Sequence, residues 1–333
     1  MSDQSSYRPI KIKVLQTFAQ GLSYDLFVQL SSGEKFIKVS HKGDEQSAIL
    51  KKYEDRGLTE IFLIPEDWEV FVATVRDRLK AKIEDGLPQA GSTQVQDIAP
   101  TIGTLSSAND LMKSIFNTRG VDQDVIEYAK EISSGTLKTI KHSNLLRTFT
   151  KFKAQCSAEY ALAILTGYVA CLLVSKFSWG NESIQEKLVM AAVLCDIDLA
   201  PSDFINMKES GCDREKLSKK VFFHPSENAR MLALESRFFA SETITIVEQH
   251  HELPDGKGYP KNISAQKITQ LTAVYIIASY FVNKIFDDSY QEQSHQDRVS
   301  NVVSMTKNKF YQGPFRKVSD ALSELYLEEP ERF

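Results

Sequence analysis

The first part of the chain alternates apolar and polar residues in the way that is typical of β-strands. Three runs alternate in this way, at residues 10–18, 24–30 and 34–40. Ser31 to Glu34 supply the residues of a hairpin turn between the second and third runs. A helix that stops at Gly57, a short strand and a longer helix are predicted next, at residues 47–57, 61–65 and 66–83. The pattern therefore predicts a small α+β domain over residues 1–83.

Residues 84–105 are rich in Gly, Pro, Ser, Thr and Gln, and this composition predicts a linker. From residue 106 to residue 333 the apolar positions recur with helical spacing, which predicts an almost entirely α-helical domain. The helices are expected at residues 107–117, 121–133, 143–153, 157–177, 183–197, 213–219, 224–236, 241–250, 265–287, 295–309 and 315–327. Polar residues interrupt the most apolar stretch, Tyr160 to Phe177, so it predicts a buried core helix rather than a membrane span.

Composition excludes some classes of protein without selecting one. Of the 333 residues, 42% are apolar and 25% are charged, and the net charge of -4 provides no basic field for nucleic acid or an anionic membrane. The first residues lack the basic and then apolar pattern of a signal peptide, so we expect a cytoplasmic protein. The four cysteines form no Cys-x-x-Cys pair. This argues against a disulfide framework and agrees with a reducing compartment.

The residues that can carry chemistry concentrate in one segment, VEQHHELPDGKGYP at residues 247–260. His250 and His251 are adjacent at the predicted end of a helix, and both can reach one metal ion if the chain opens after them. The glycines and Pro260 supply that opening. Taken alone, such a pair is more often a surface feature than a metal site.

The whole segment resembles the HHE-xx-DGxGYP signature of the HD-GYP family, with Leu253 in place of the family's usual arginine. Other segments are similar to the family as well. AAVLCDID at 191–198 is similar to its HD motif, VFFHP at 221–225 to the histidine that opens its next helix, and residues 271–281 to a later helix. The resemblance covers roughly residues 145–300.

The resemblance implies a fold, an activity and a set of site residues. The fold is the HD-domain helical bundle, preceded here by the α+β domain, for which we expect a regulatory or sensory role. The family's activity, in bacteria, is the hydrolysis of cyclic di-GMP with two or three iron or manganese ions. Its metal ligands fall on Asp196, His224, His250, His251 and Glu159. Its Gly-Tyr-Pro loop is linked to protein partners such as a diguanylate cyclase-type domain, and it falls on Asp255, Gly256, Gly258, Tyr259 and Pro260.

Several positions depart from the family's pattern, and they lie on one side of the implied site. Three would be metal ligands and three would be basic groups near the phosphate; the residues present are Ala163, Cys195, Ser279, Leu199, Asp288 and Gln291. The resemblance therefore implies one divalent ion, which would be iron, manganese or zinc. It also implies weak stabilisation of a phosphate, because the preorganised positive charge is reduced.

Each surviving site residue also has a simpler explanation when it is taken alone. Asp196 can face solvent or cap a helix, His224 can cap the helix that follows it, and Glu159 can be a surface residue. Cys195 can fill the core, and Tyr259 can pack its loop. The agreement in spacing across several segments is what favours a metal site.

Three functions follow from these observations. The first is a degenerate HD-GYP signalling protein of the cyclic di-GMP pathway, catalytically impaired, that acts by binding a protein or a nucleotide. The second is an active metal-dependent phosphodiesterase with an altered site. Its basic candidates are Lys219, Lys220, Lys257 and Lys261. The third is a structural module that forms a homodimer, with its histidines as relics.

Overall fold

The computed structural model describes residues 7–19, 24–30, 35–87, 98–142, 144–210, 213–286 and 294–333. A four-stranded antiparallel sheet of order β1-β4-β2-β3 opens the chain. Its strands are β1 (Arg8–Lys11), β2 (Leu26–Gln29), β3 (Phe36–Ser40) and β4 (Glu60–Leu63). The helices of this part are α1 (Ile12–Phe18), α2 (Gln46–Glu54) and α3 (Pro65–Gly86). The predicted pairing of β2 with β3 is confirmed, and its predicted turn at 31–34 lies outside the described residues.

The first predicted strand, at residues 10–18, is wrong beyond its second residue. β1 ends at Lys11, and the following residues form α1 instead of continuing the strand. Ile12, Leu15 and Phe18 are all buried, and their spacing of three residues places them on one face of a helix. That face packs against the first helix of the second part, where the Thr17 hydroxyl lies 3.0 Å from the Ser107 hydroxyl. Tertiary packing therefore decided the conformation of a run whose alternation was equally typical of a strand.

The second part is helical, as the sequence predicts. Its helices are α4 (Ala99–Arg119), α5 (Gln123–His142), α6 (Leu145–Phe152), α7 (Ala158–Val174), α8 (Glu182–Leu194), α9 (Pro201–Ser210), α10 (Lys219–Leu234), α11 (Ser241–Gln249), α12 (Gln270–Ile285), α13 (His295–Lys309) and α14 (Gly313–Glu328). The buried α7 confirms the core helix predicted at Tyr160 to Phe177. In the described part of the chain, no helix combines the length and the apolar character needed to cross a membrane. The described cysteines are free and buried.

The helix predicted at 213–219 is wrong, and α9 was missed. Pro201 begins α9, and the Asp203 carboxylate accepts a hydrogen bond from the Ala200 amide at 2.9 Å, which are signals of a helix start. Residues 213–217 form turns instead. Ser218 caps α10 by accepting from the Val221 amide at 3.2 Å. His224 therefore lies in the second turn of α10 and does not cap or open it.

The predicted linker is shorter than 84–105, because α3 continues to Gly86 and α4 begins at Ala99. Residues 88–97 lie outside the described residues. The two predicted domains share one continuous hydrophobic core. At their junction a Cβ atom on Gly135 of α5 would lie 2.8 Å from Leu105 Cδ2 and 2.9 Å from Ile83 Cγ2. α4 is therefore packed between the sheet domain and the rest of the bundle.

Substitution of Leu105 by alanine is expected to lower the free energy of unfolding by about 2–5 kcal/mol, because the side chain is fully buried at this junction. The control is the same change at Leu234, which is 74% exposed and should cost less than about 0.5 kcal/mol. Urea unfolding of both variants measures the difference. Equal effects of the two substitutions would contradict this account of the junction.

Candidate metal centre

Asp196 lies in the turn that follows the buried helix α8. The amide of Asn228 on α10 anchors this turn, because its Nδ2 donates to the Cys195 carbonyl at 3.0 Å and to Asp198 Oδ1 at 2.8 Å. Oδ1 of Asp196 is buried, whereas the side chain as a whole is 35% exposed. The Asp196 carboxylate therefore lies at the boundary between the interior of the bundle and solvent.

His224 is oriented by an irregularity in its own helix. Pro225 has no amide proton, so the carbonyl of Val221, four residues earlier, lacks its usual helical donor. That carbonyl lies 2.7 Å from His224 Nδ1. With Nδ1 donating its proton, Nε2 is left as an acceptor, and it lies 3.1 Å from Asp196 Oδ1.

His250 is oriented in the same way at the end of α11. The last carbonyls of a helix have no partner within the helix, and the carbonyl of Val247 lies 2.7 Å from His250 Nδ1. Its Nε2 is 3.2 Å from His224 Nε2 and 3.6 Å from Asp196 Oδ1. Two imidazole nitrogens and one carboxylate oxygen thus converge on one point.

His251 completes the cluster. Its Nε2 is buried and has no hydrogen-bond partner among the described residues, and its ring stacks on Tyr259 with centroids 4.5 Å apart. Burial, together with the neighbouring His250 and His224, holds the pKa of His251 well below its usual value. The ligand atoms of Asp196, His224, His250 and His251 all lie within 4.8 Å of one another.

This arrangement fits a divalent metal ion. Burial alone would raise the pKa of Asp196, but the side chains of His224 and His250 hold it well below its usual value. Burial lowers the pKa of His250, yet Cys195 and Asp196 raise it to about 9. Atoms this close need a proton or a metal ion between them, and two nitrogens bound to one zinc ion lie about 3.3 Å apart. Three imidazoles and a carboxylate are suitable ligands for iron, manganese or zinc.

The Gly-Tyr-Pro loop supports the cluster from one side. The buried Glu252 carboxylate accepts from the amides of Lys261 at 2.7 Å and Ile263 at 3.1 Å, which ties both ends of the loop together. A Cβ on Gly258 would lie 2.3 Å from the Leu253 nitrogen, so only glycine fits there. Tyr259, whose peptide bond to Pro260 is cis, is only 2% exposed.

The loop residues named for partner binding are therefore not equally accessible. Gly258 and Tyr259 are buried, Gly256 and Pro260 are partly exposed, and Asp255 is exposed. Gly256 has a φ of 71°, a conformation that glycine adopts without strain. Asp255 and Lys257 are the exposed residues of residues 255–260.

Glu159 lies outside the cluster, in the first turn of α7. Two of the positions that depart from the family's pattern have the following surroundings. Leu199 is 2% exposed, and the backbone carbonyl of Ser279 accepts a hydrogen bond from the Asn283 side chain at 2.9 Å. Cys195 is fully buried beside His250, so its thiol adjoins the cluster although it is not one of the four convergent ligands. Asp288 and Gln291 lie outside the described residues.

Two basic candidates from the sequence have partners. Lys220 pairs with Asp203 at 2.7 Å and Lys261 pairs with Glu248. Lys219 and Lys257 are exposed. Lys113 on α4, whose charge interacts with that of Asp196, was not predicted from the sequence. No local signal marks it, because it precedes the segment of resemblance by about thirty residues.

Comparisons with known proteins support the fold. No family model matches the chain, and neither does any curated protein sequence. A solved structure is similar to it: Bd1817, a HDG"Y"P protein from Bdellovibrio bacteriovorus. The two share 15% sequence identity with a TM-score of 0.57, over 96% of this chain and 99% of that chain. The chain therefore has an HD-GYP-like fold, a mainly α-helical bundle preceded by a small α+β part, and a cluster of histidines and aspartate that could bind a metal ion.

Proposed function

We propose that this protein is a signalling protein of the cyclic di-GMP pathway that binds one divalent metal ion and acts through binding, with impaired hydrolysis. The observation that carries the proposal is the convergence of Asp196, His224, His250 and His251 within 4.8 Å. The HD-GYP-like fold supports the choice of pathway. The ion would supply the positive charge that a phosphate group requires.

The residues of this chain have separate tasks in such a site. His224 and His250 direct their Nε2 atoms at the site because backbone carbonyls hold their Nδ1 atoms, and a bound ion would displace the proton that the raised pKa of His250 leaves on its Nε2. Asp196 contributes the one negative charge, and its exposed portion leaves a face open to a ligand. Tyr259 covers His251 and keeps water from that side.

Impaired hydrolysis rests on what is missing beside the cluster. Attack on a phosphodiester needs both an activated water and neutralisation of the phosphate, and a pair of metal ions commonly divides these tasks. Ala163 offers no ligand atom, and buried Leu199 offers no charge. One ion with this ligand set supports binding of a phosphate ester better than its turnover.

Metal binding is the first test. Protein loaded with Mn²⁺ should retain about one ion per chain after gel filtration, and His250→Ala should weaken Mn²⁺ binding at least about 100-fold, because a direct ligand is removed. The exposed His41 provides the control, since His41→Ala should keep the ion. Glu159→Gln should also keep it, because Glu159 lies outside the cluster. Elemental analysis of the purified proteins gives the counts, and metal-free wild type would refute the proposal.

Nucleotide binding is the second test. Calorimetry should detect binding of cyclic di-GMP to the Mn²⁺-loaded wild type and not to His250→Ala. Chromatography of the same mixtures, prepared anaerobically with Fe²⁺ or Mn²⁺, should show no linear dinucleotide. Turnover by the wild type that disappears in His250→Ala would instead identify an active phosphodiesterase.

The exposed part of the Gly-Tyr-Pro loop is the surface we propose for a protein partner, with a diguanylate cyclase-type domain as the candidate. Lys257→Glu reverses the charge of an exposed side chain on a loop that Glu252 holds in place. We expect it to weaken binding of a purified domain of this class about tenfold in calorimetry. Lys51→Glu, on the exposed side of α2, should leave binding unchanged. Unaltered binding by Lys257→Glu would exclude this surface.

A further inference from the structure

A column of aromatic rings runs from the metal cluster to the surface of the protein. The ring of His251 stacks on that of Tyr259, and Tyr259 stacks in turn on Phe222 of α10, with centroids 5.7 Å apart and ring planes at 23°. Phe222 contacts Phe223 edge to face, with centroids 4.8 Å apart. Phe222 is partly buried, and Phe223 is 50% exposed. The column therefore begins at a candidate metal ligand and ends at an aromatic side chain in solvent.

The exposed ring belongs to the residue next to a second candidate ligand. Phe223 precedes His224 on α10, so their Cα atoms lie about 3.8 Å apart. Consecutive residues of a helix point in directions about 100° apart. His224 is accordingly buried, with its Nε2 at 3.1 Å from Asp196 Oδ1, while Phe223 reaches solvent. One ligand of moderate size can therefore contact both the metal ion and the Phe223 ring.

Arg214 adds a cationic group beside these rings. It lies in the turns before α10, its side chain is exposed, and its guanidinium carbon is 5.7 Å from the centre of the Phe222 ring. Lys219 and Lys220, in the first turn of α10, are also exposed. The surroundings of the exposed ring are therefore basic, which favours an anionic ligand.

An exposed aromatic ring beside a guanidinium group suits a nucleobase. Every base has a π-face that can stack on an aromatic side chain. The guanidinium group holds its N–H donors in a planar fork, so it can donate two parallel hydrogen bonds to a pair of acceptors. Guanine presents such a pair in O6 and N7, whereas adenine presents an amino donor where guanine has O6. The combination favours guanine over adenine.

We infer that Phe223 and Arg214 form the base-binding part of this site. Phe223 stacks on a guanine base and Arg214 donates to its O6 and N7 atoms, while a phosphate group of the same ligand lies at the metal ion. Phe222 is a positioning residue, because it packs between Tyr259 and Phe223. The inference rests on the proposed function and extends it by naming the residues that recognise the base. The ligand class is a guanine nucleotide.

The first experiment compares two probes by calorimetry on the Mn²⁺-loaded full-length protein. Phe223→Ala should weaken cyclic di-GMP binding at least about tenfold, because a stacking contact is lost. The same variant should bind inorganic phosphate as the wild type does, since phosphate has no base. Phe223→Tyr keeps an aromatic ring and should lose less than about threefold. The matched control is Tyr311→Ala: Tyr311 is 61% exposed between α13 and α14, and its loss should leave both affinities unchanged.

The second experiment tests the choice of base, with cyclic di-AMP as the competing probe. The wild type should bind cyclic di-GMP about tenfold more tightly than cyclic di-AMP, and Arg214→Gln should remove most of that preference. Phe223→Ala should weaken the binding of both nucleotides, because stacking does not depend on the base. A wild type without any preference for guanine would overturn the role of Arg214.

Metal content and circular dichroism, measured for each sample, separate this inference from the proposed function. Phe223→Ala that keeps its ion and binds cyclic di-GMP as the wild type does would overturn the inference and leave the metal centre standing. An equal loss of inorganic phosphate binding would also overturn it, because the effect would not concern the base. Weaker binding of a partner domain alone would assign the ring to protein docking instead. A wild type that holds no ion, or that holds one and binds no cyclic di-GMP, would contradict the proposed function itself.

Discussion

Three side-chain atoms converge where the helices of the bundle meet, and the backbone around them holds the side chains in that position. Nε2 of His224, Nε2 of His250 and Oδ1 of Asp196 lie 3.1–3.6 Å from one another. Atoms this close need a proton or a metal ion between them. Both histidines are held by a carbonyl that its helix does not use. At His224 the cause is the proline that follows, and at His250 it is the end of α11.

The surroundings of this cluster differ from one side to the other. On the side of the loop, Glu252 ties the chain together, and the Tyr259 ring lies against His251. α7 and α12 carry Ala163 and Ser279 at the positions where the resemblance implies ligands. The four convergent ligand atoms could hold one ion, whereas Ala163 offers no ligand atom for a second. The proposal of one ion rather than two rests on this difference.

The α+β part is joined to the helical part through α4. Lys11 of β1 forms an ion pair with Asp110 of α4, and the Thr17 hydroxyl of α1 lies against the Ser107 hydroxyl of α4. One turn after Asp110, the same helix carries Lys113, whose charge interacts with Asp196. α4 therefore contacts the first domain and approaches the metal cluster. The linker predicted at 84–105 gave no indication of this contact, because residues 99–105 belong to a packed helix and not to a free connection.

The sequence by itself determined the helical character of the second part, the hairpin, and the candidate ligands Asp196, His224, His250 and His251. The first two follow from apolar periodicity and turn residues, and the ligands are what the resemblance of several segments to the HD-GYP family implies. Three features depended on the tertiary structure: the helical state of residues 12–18, the position of Glu159 outside the cluster, and the approach of Lys113. The alternating run at 12–18 forms a helix because α4 covers the face that carries every third residue. The charge of Lys113, 83 residues before Asp196, interacts with that carboxylate only because α4 packs into the bundle. Spacing along the chain records neither of these contacts, because both are set by how the elements pack.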